Sequence, residues 1–476
     1  SRMSSTYRAS YLRALFSGCV ILLLATITHA QNLLQVVDVD RLAQREQLQQ
    51  QLAQLESTLG KYDPGLIETL SSLADSSALL NLYSEASTLR GRSLQIQRVS
   101  LGLFTPEQIP LILTKMEIDE RAGDWETVNE SLEYLYWLLI EKNVSEGEAL
   151  INSLIRLSEF HLRGVVGDTA DLQAHHYQQA YKITHQALRI SKESFGAQGP
   201  HLIDLHYSLV KQSYLQSAAL ERGGDTAYAL RAVVPRSKWV TPRRIAQSRY
   251  YRTGLQLLND IRGIIAQRNE NPEESLAMVD LYAADWYLLF DQVQAEEAYR
   301  KAFARLQEAD VCITELDLLF ATPKILPIPT FHGSVSTALT YNQSVQLSQP
   351  AEHDNKLEDP LYFKHWFDAM SVVSFPVTAG PPSLAKQEQL PEIRLRFSLD
   401  SLNSVSHWVS GRYRTNISVA KEFNILESDN QVNVNMKALD EDLRLLHFRP
   451  HLENGIARPV DGTLFYQAAV NQSSQP

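Results

Sequence analysis

The chain has 476 residues, with 55 acidic against 44 basic side chains and two cysteines. That length is a prior for two or three domains with real cores, and 44% apolar against 21% charged residues argues against wholesale disorder. A net charge of −11 argues against a nucleic-acid binder, which needs a basic face. Two cysteines exclude a disulfide scaffold and any four-cysteine zinc module.

Residues 1–30 read as a secretory signal peptide. Arg2, Arg8 and Arg13 precede an apolar run from Ala14 to Ile27, and Thr28-His29-Ala30 offers the small residues of a cleavage site. The run is short for a membrane span of roughly 20 residues, so an uncleaved anchor is the minor reading. Cys19 sits too early in the run for a lipoprotein box. Cleavage removes three positive charges and Cys19, leaving a net charge of 41 − 55 = −14 and Cys312 alone. Cys312 is expected to be a small buried apolar side chain. Residues 31–60, rich in Gln and Leu, are expected to form a helix that caps the open apolar end of a helical array beginning at residue 61.

Residues 61–310 carry a repeat. Gly60-Lys-Tyr-Asp-Pro64, Gly102-Leu-Phe-Thr-Pro106 and Gly196-Ala-Gln-Gly-Pro200 share Gly-x-x-x-Pro, a helix end followed by a helix start. Pro64 to Pro106 and Pro200 to Pro242 are both 42 residues. Tyr83, Trp125 and Tyr177 are separated by 42 and then 52 residues, which places an insertion of ten at the Gly- and Asp-rich stretch 163–172. Each period holds two helices; in the first, Leu66, Leu70, Leu73 and Ala74 share one face. A helix with one apolar stripe must share its core with stacked neighbours.

The sequence here resembles the tetratricopeptide repeat family. Ala74 is the small residue twelve before Ala86, and Asn81-Leu-Tyr83-Ser-Glu-Ala86 fits the turn. Gly123-Asp-Trp125 fits it too, with Val128 in place of the alanine. Tyr177-Gln-Gln-Ala180 is followed by Ala187. The last copy runs from Ala284-Asp-Trp-Tyr287 to Ala295, Tyr299 and Ala302, with a turn one residue shorter. The 42-residue period is similar to the variant seen in kinesin light chains. Copies near 217–270 are degenerate, so five or six repeats are expected. The resemblance implies a mainly α fold, a right-handed α-solenoid whose groove binds protein or peptide partners.

Residues 311–390 read as a Pro-rich, polar connector with one or two short ordered elements, on Pro323, Pro327, Pro329, Pro381 and Pro382. Residues 391–470 read as a small α+β domain. Ile393, Leu395, Phe397 and Leu399 alternate with polar residues, a helix is expected over 436–446, and Val460 to Tyr466 alternates again. This ending resembles the C-terminal domain of TonB-family proteins, on Phe448-Arg449-Pro450, Asn454-Gly455 and the final strand. That resemblance implies contact with envelope proteins, often by strand addition.

No nucleophile elbow, phosphate-binding loop or dinucleotide fingerprint is present. His175, His176 and His185 lack converging partners and are expected on an exposed repeat surface; His201 with His206, and His447 with His451, do not converge either. Glu296-Glu297 and Asp440-Glu441-Asp442 read as solvated helix faces. Arg243, Arg244 and Arg249, with Arg236 and Lys238 nearby, form the one basic cluster. It reads as a solvated charged face, or as a site for an acidic or phosphate-bearing partner.

The expectation is therefore a periplasmic, non-enzymatic protein-binding scaffold of a Gram-negative envelope. It would have no cofactor or metal, no nucleic-acid partner and no membrane span once the signal is removed. The alternatives are an anchored TonB-like energy transducer, or a catalytic or glycan-binding C-terminal domain targeted by the repeats.

Overall fold

A computed structural model of the chain describes residues 40–232, 238–268, 271–321, 323–347, 361–363, 392–399, 406–409, 412–415, 422–428 and 447–467. Residues 1–30, expected to be a signal peptide, and the helix expected over 436–446 lie outside these residues. The described chain is mainly helical, and within each of its two units helices adjacent in sequence pack on one another. It divides into two compact units, with the boundary after Val144.

In the first unit, α1 (residues 40–59) precedes α2 (Ile67–Leu79), α3 (Tyr83–Leu101), α4 (Gln108–Arg121) and α5 (Trp125–Ile140). Leu52 of α1 is buried with Leu66, Leu70, Leu73 and Ile96. Arg45 of α1 forms an ion pair with Glu85 of α3 at 2.7 Å. The stripe that α2 and α3 cannot bury alone is thus covered by the preceding helix. Ala74, Ala78 and Ala86 are buried with Ile118, and their small side chains let α2, α3 and α4 approach closely.

Helix ends recur with a regular beat. Gly60, Asn81, Gly102, Gly123 and Asn143 all have positive φ, at intervals of 21, 21, 21 and 20 residues. The left-handed residue releases the chain from one helix and turns it into the next, which is why Gly or Asn stands there. Asp63 then accepts from Gly65 N–H at 2.8 Å ahead of α2. Asp124 caps α5 through Thr127 N–H at 3.1 Å. The side-chain and backbone hydrogen bonds of Thr127 hold the Asp124 carboxyl below its ordinary pKa.

The second unit contains α6 (Gly147–Gly167), α7 (Gln173–Phe195), α8 (Leu202–Arg222), α9 (Gly224–Ala232), α10 (Pro242–Arg268), α11 (Glu273–Leu289) and α12 (Ala295–Glu308). Helix α6 packs on α7, α8 on α10, and α11 on α12; the short α9 lies between α8 and α10 in the sequence and packs mainly on α8. The stretch 163–172 is not an inserted loop. Helix α6 continues through Gly167, and the additional residues lengthen α6 and α7 to 21 and 23 residues. Gly164 permits this, because a Cβ there would stand 2.6 Å from the His176 ring.

The stretch 311–390 holds α13 (Ile313–Phe320), β1 (Lys324–Leu326), α14 (Val335–Leu347) and β2 (Leu361–Phe363). Leu316, Phe320, Leu326, Phe331 and Val335 are buried. Downstream lie β3 (Glu392–Leu399), β4 (Ser406–Val409), β5 (Arg412–Thr415), β6 (Glu422–Ser428), β7 (His447–Arg449), β8 (Leu452–Glu453), β9 (Ile456–Ala457) and β10 (Val460–Gln467). One sheet has the order β2-β10-β3-β6, with β10 antiparallel to β3 and parallel to β2. Strand β7 pairs antiparallel with β1, placing Phe448 opposite Ile325. No described helix is long and apolar enough to cross a membrane.

Candidate binding site

Helix α8 is unusual in being buried on nearly every side while carrying many polar residues. Lys211, Ser208, Gln212 and Ser213 are all buried on it. One face meets α7 and α10, where Gln212 Nε2 donates to Thr184 Oγ1 at 3.0 Å. The other meets the non-helical stretch from Leu326 to Phe331. Tyr207 donates its hydroxyl to the Ile328 carbonyl at 2.6 Å, and Lys211 Nζ donates to the Pro329 carbonyl at 2.6 Å. Tyr282 of α11 donates to the Thr330 carbonyl at 2.8 Å and accepts from His332 N–H at 3.1 Å. Three successive carbonyls are therefore held by three side chains from two helices.

Prolines explain this mode of capture. Pro327 and Pro329 have no N–H to offer a neighbouring strand, so the segment is recognised through its carbonyls and its apolar side chains. Phe331 completes the contact, with ring centroids 4.8 Å from Tyr282 and 6.0 Å from Tyr207. Burial sets the electrostatics. It raises the Tyr207 and Tyr282 hydroxyls above their ordinary pKa. It also lowers Lys211 to about 7, against the pull of Glu159 and Asp204.

Beside this segment lies β7. The Arg449 guanidinium makes two hydrogen bonds to the Asp285 carboxylate of α11, the Nε one at 2.9 Å. Tyr299 of α12 donates to the same carboxylate at 2.7 Å. The Arg449 guanidinium carbon also lies 5.5 Å from the Tyr282 ring centroid. Tyr214 of α8 lies 3.3 Å from His447 Nδ1. Phe448, Arg449 and their neighbour Pro450 are buried, so this stretch faces the helices of its own unit. Gly455, in the turn between β8 and β9, has φ +77, and a Cβ there would stand 3.1 Å from the Phe303 ring.

The residues expected to form repeat motifs serve as packing elements. Ala74, Ala86, Ala180, Ala284, Ala295 and Ala302 are all buried, as are Trp125, Tyr177 and Tyr299. Tyr83 and Tyr287 are half-buried, and Gly123 supplies a left-handed turn. The basic residues do not converge on one partner. Arg243 lies 3.8 Å from Glu221, while Arg244 and Arg249 are exposed.

Two sequence expectations are overturned. Cys312 is exposed, because it stands at the start of α13 rather than on its apolar face; it lies 2.8 Å from Thr314 Oγ1. Of the three histidines expected on an exposed surface, His175 is exposed and His185 is half-buried, but His176 is buried. Its Nδ1 lies 3.0 Å from His161 Nδ1, and its Nε2 lies 2.9 Å from Asp168. The reason is the lengthening of α6, which carries His161 and Asp168 to the level of His176. Burial, with His176 and His175 nearby, lowers His161 to about 3. The cluster is a chain of hydrogen bonds. Among the described residues, no group of three His, Cys, Asp or Glu side chains is placed to hold a metal ion.

Tyr207, Lys211, Tyr282 and Asp285 do not stand out in the sequence. The available signal is a charged residue on an apolar helix face, as at Lys211 beside Leu209 and Val210, and at Asp285 between Ala284 and Trp286. Such a residue needs a buried partner. Comparison with protein-family models returns no match, and comparison with curated proteins returns none either.

Proposed function

We propose that this chain is a non-enzymatic protein-binding scaffold, exported to the periplasm, built on a right-handed tetratricopeptide-type solenoid of five or six repeats. The first helix of each pair supplies the binding face. The TonB-like ending contributes a second contact surface. One observation supports this reading: faces of α8 and α11, both first helices of their pairs, hold a non-helical peptide segment through Tyr207, Lys211 and Tyr282. In this chain the segment is its own. A face that captures backbone carbonyls in cis has the chemistry to capture them in trans.

The test uses photo-crosslinking residues at single positions in the full chain, expressed in a Gram-negative envelope. Ser72 of α2 and Thr114 of α4 report on first helices; Ser84 of α3 and Glu133 of α5 report on second helices. A discrete, saturable protein adduct from Ser72 and Thr114, absent from Ser84 and Glu133, is the expected result. Equal labelling from both pairs of positions, or none, would overturn the reading.

A further inference from the structure

We propose that the stretch from Lys238 to Arg244, at the start of α10, docks the protein peripherally on an anionic lipid surface. The sequence segregates charge here. From Thr226 to Asn259 the chain has seven basic residues and no Asp or Glu, within a protein of net charge −11. A run of that kind is costly to concentrate unless something anionic meets it.

The structure adds a second, apolar feature at the same place. Trp239 is 86% exposed and the adjoining Val240 is 42% exposed. Tyr228, on the preceding helix, is 72% exposed. Lys238 Nζ lies 5.3 Å from the Trp239 ring centroid. Lys238 and Arg244 are exposed, and among the described residues Arg243 meets a carboxylate only at 3.8 Å, from Glu221.

Trp and cations together are what a bilayer interface selects. The indole settles at the headgroup level, and Lys and Arg meet anionic headgroups. Each signal alone binds weakly, and the two combined give a reversible surface contact. An acidic peptide would satisfy the arginines but leave Trp239 and Val240 in water. A bilayer surface takes both. The inference is independent of the scaffold reading, because it concerns neither α2 and α4 nor the faces that hold the Leu326 to Phe331 segment.

The experiment is vesicle co-sedimentation of the full chain. One set of vesicles contains phosphatidylglycerol and phosphatidylcholine, and the other only phosphatidylcholine. The apolar stretch 14–27 contributes to both, so the readout is the difference between them. The expected result is at least fivefold stronger pelleting with the anionic vesicles, weakened by salt. R243E/R244E abolishes that preference, and W239S reduces it and removes the blue shift of tryptophan emission that the anionic vesicles induce. None of these positions is buried, so unchanged thermal melting shows that the variants fold. Equal pelleting with both vesicles, or a preference that survives R243E/R244E, would overturn the proposal. So would capture by immobilised polyglutamate with no vesicle preference, which would point to an acidic protein instead.

Discussion

Asp285 and Arg449 stand 164 residues apart in the chain and form a two-point ion pair with both side chains almost fully enclosed. Burial works against the charge on Arg449. The pairing and hydrogen bonds with Asp285, together with Tyr282 and Tyr299, outweigh it and hold the guanidinium above its ordinary pKa. Removing one partner strands the other charge in a low-dielectric site. R449A or D285A is therefore expected to cost about 3–5 kcal/mol. The double variant D285L/R449M, which removes both charges, should recover most of that loss. Urea titration of the three variants measures it. Equal, additive losses would show that the pair does not join β7 to α11.

Gly254 of α10 predicts a cost that runs against helix propensity. A Cβ at this position would lie 2.0 Å from the Trp286 ring of α11, and Trp286 is itself fixed by donating Nε1–H to the Tyr251 carbonyl at 2.9 Å. Alanine in an exposed helix is favoured over glycine by about 1 kcal/mol. Here it must displace a buried indole, and overpacking of that kind costs about 1–3 kcal/mol. G254A should lower the melting temperature, and G263A, where a Cβ meets nothing within 4 Å, should raise it slightly. Stabilisation by G254A would mean that α10 and α11 are not packed this closely.

The two-helix beat was legible in the sequence because helix ends need residues that tolerate positive φ. Gly60, Gly102 and Gly123 advertise this plainly. The alanines were legible for a similar reason, since only small side chains fit where three helices meet. The face of α8 and α11 that holds the Leu326 to Phe331 segment was not legible. Its polar groups are single residues within apolar helices, and their partners are distant in the chain, 121 residues for Tyr207 and Ile328 and 48 for Tyr282 and Thr330. Nor did local pattern show that Leu326-Pro327-Ile328-Pro329 lies against α8. Proline there announces a broken helix equally well whether the segment is free or captured. The histidine cluster was not legible either, because spacing along one helix does not show that His176 finds His161 and Asp168 across a helix pair.

The buried histidines predict loss of stability in mild acid. His161 has a folded pKa of about 3, and burial also lowers His176 although Asp168 opposes the shift. In the unfolded chain both titrate near 6.5. Between about 3 and 6.5 the folded state binds fewer protons than the unfolded state. Their stabilising effect is thus full above 6.5 and is lost as pH falls through that window. Denaturant midpoints for the wild type should drop between pH 6.5 and 4.5. H161N should flatten this dependence; an unchanged slope would show that the pair does not stay neutral in the folded protein.

Lys211 predicts the opposite end of the pH scale. Its ammonium is buried among Tyr207, Glu159 and Asp204, with the Pro329 carbonyl as acceptor, and burial brings its pKa down from 10.5 to about 7. In the unfolded chain it titrates near 10.4. From pH 7 upward the folded state binds fewer protons than the unfolded state, so stability should rise with pH from this residue. The rise ends when the buried tyrosines, whose hydroxyls burial keeps protonated, begin to be ionised in the unfolded chain near pH 10. The usable window is therefore about pH 7 to 9.5. K211M keeps much of the side-chain volume and removes the titration. It should be close to wild type or more stable at pH 7, and should lose the wild-type gain between pH 7 and 9.5, read as the shift in urea midpoint. It also leaves the Pro329 carbonyl without its donor, so exchange of backbone amides near Phe331 and His332 should quicken. A pH dependence identical in K211M and wild type would show that Lys211 reaches solvent, and with it that the Leu326 to Phe331 segment does not seal α8.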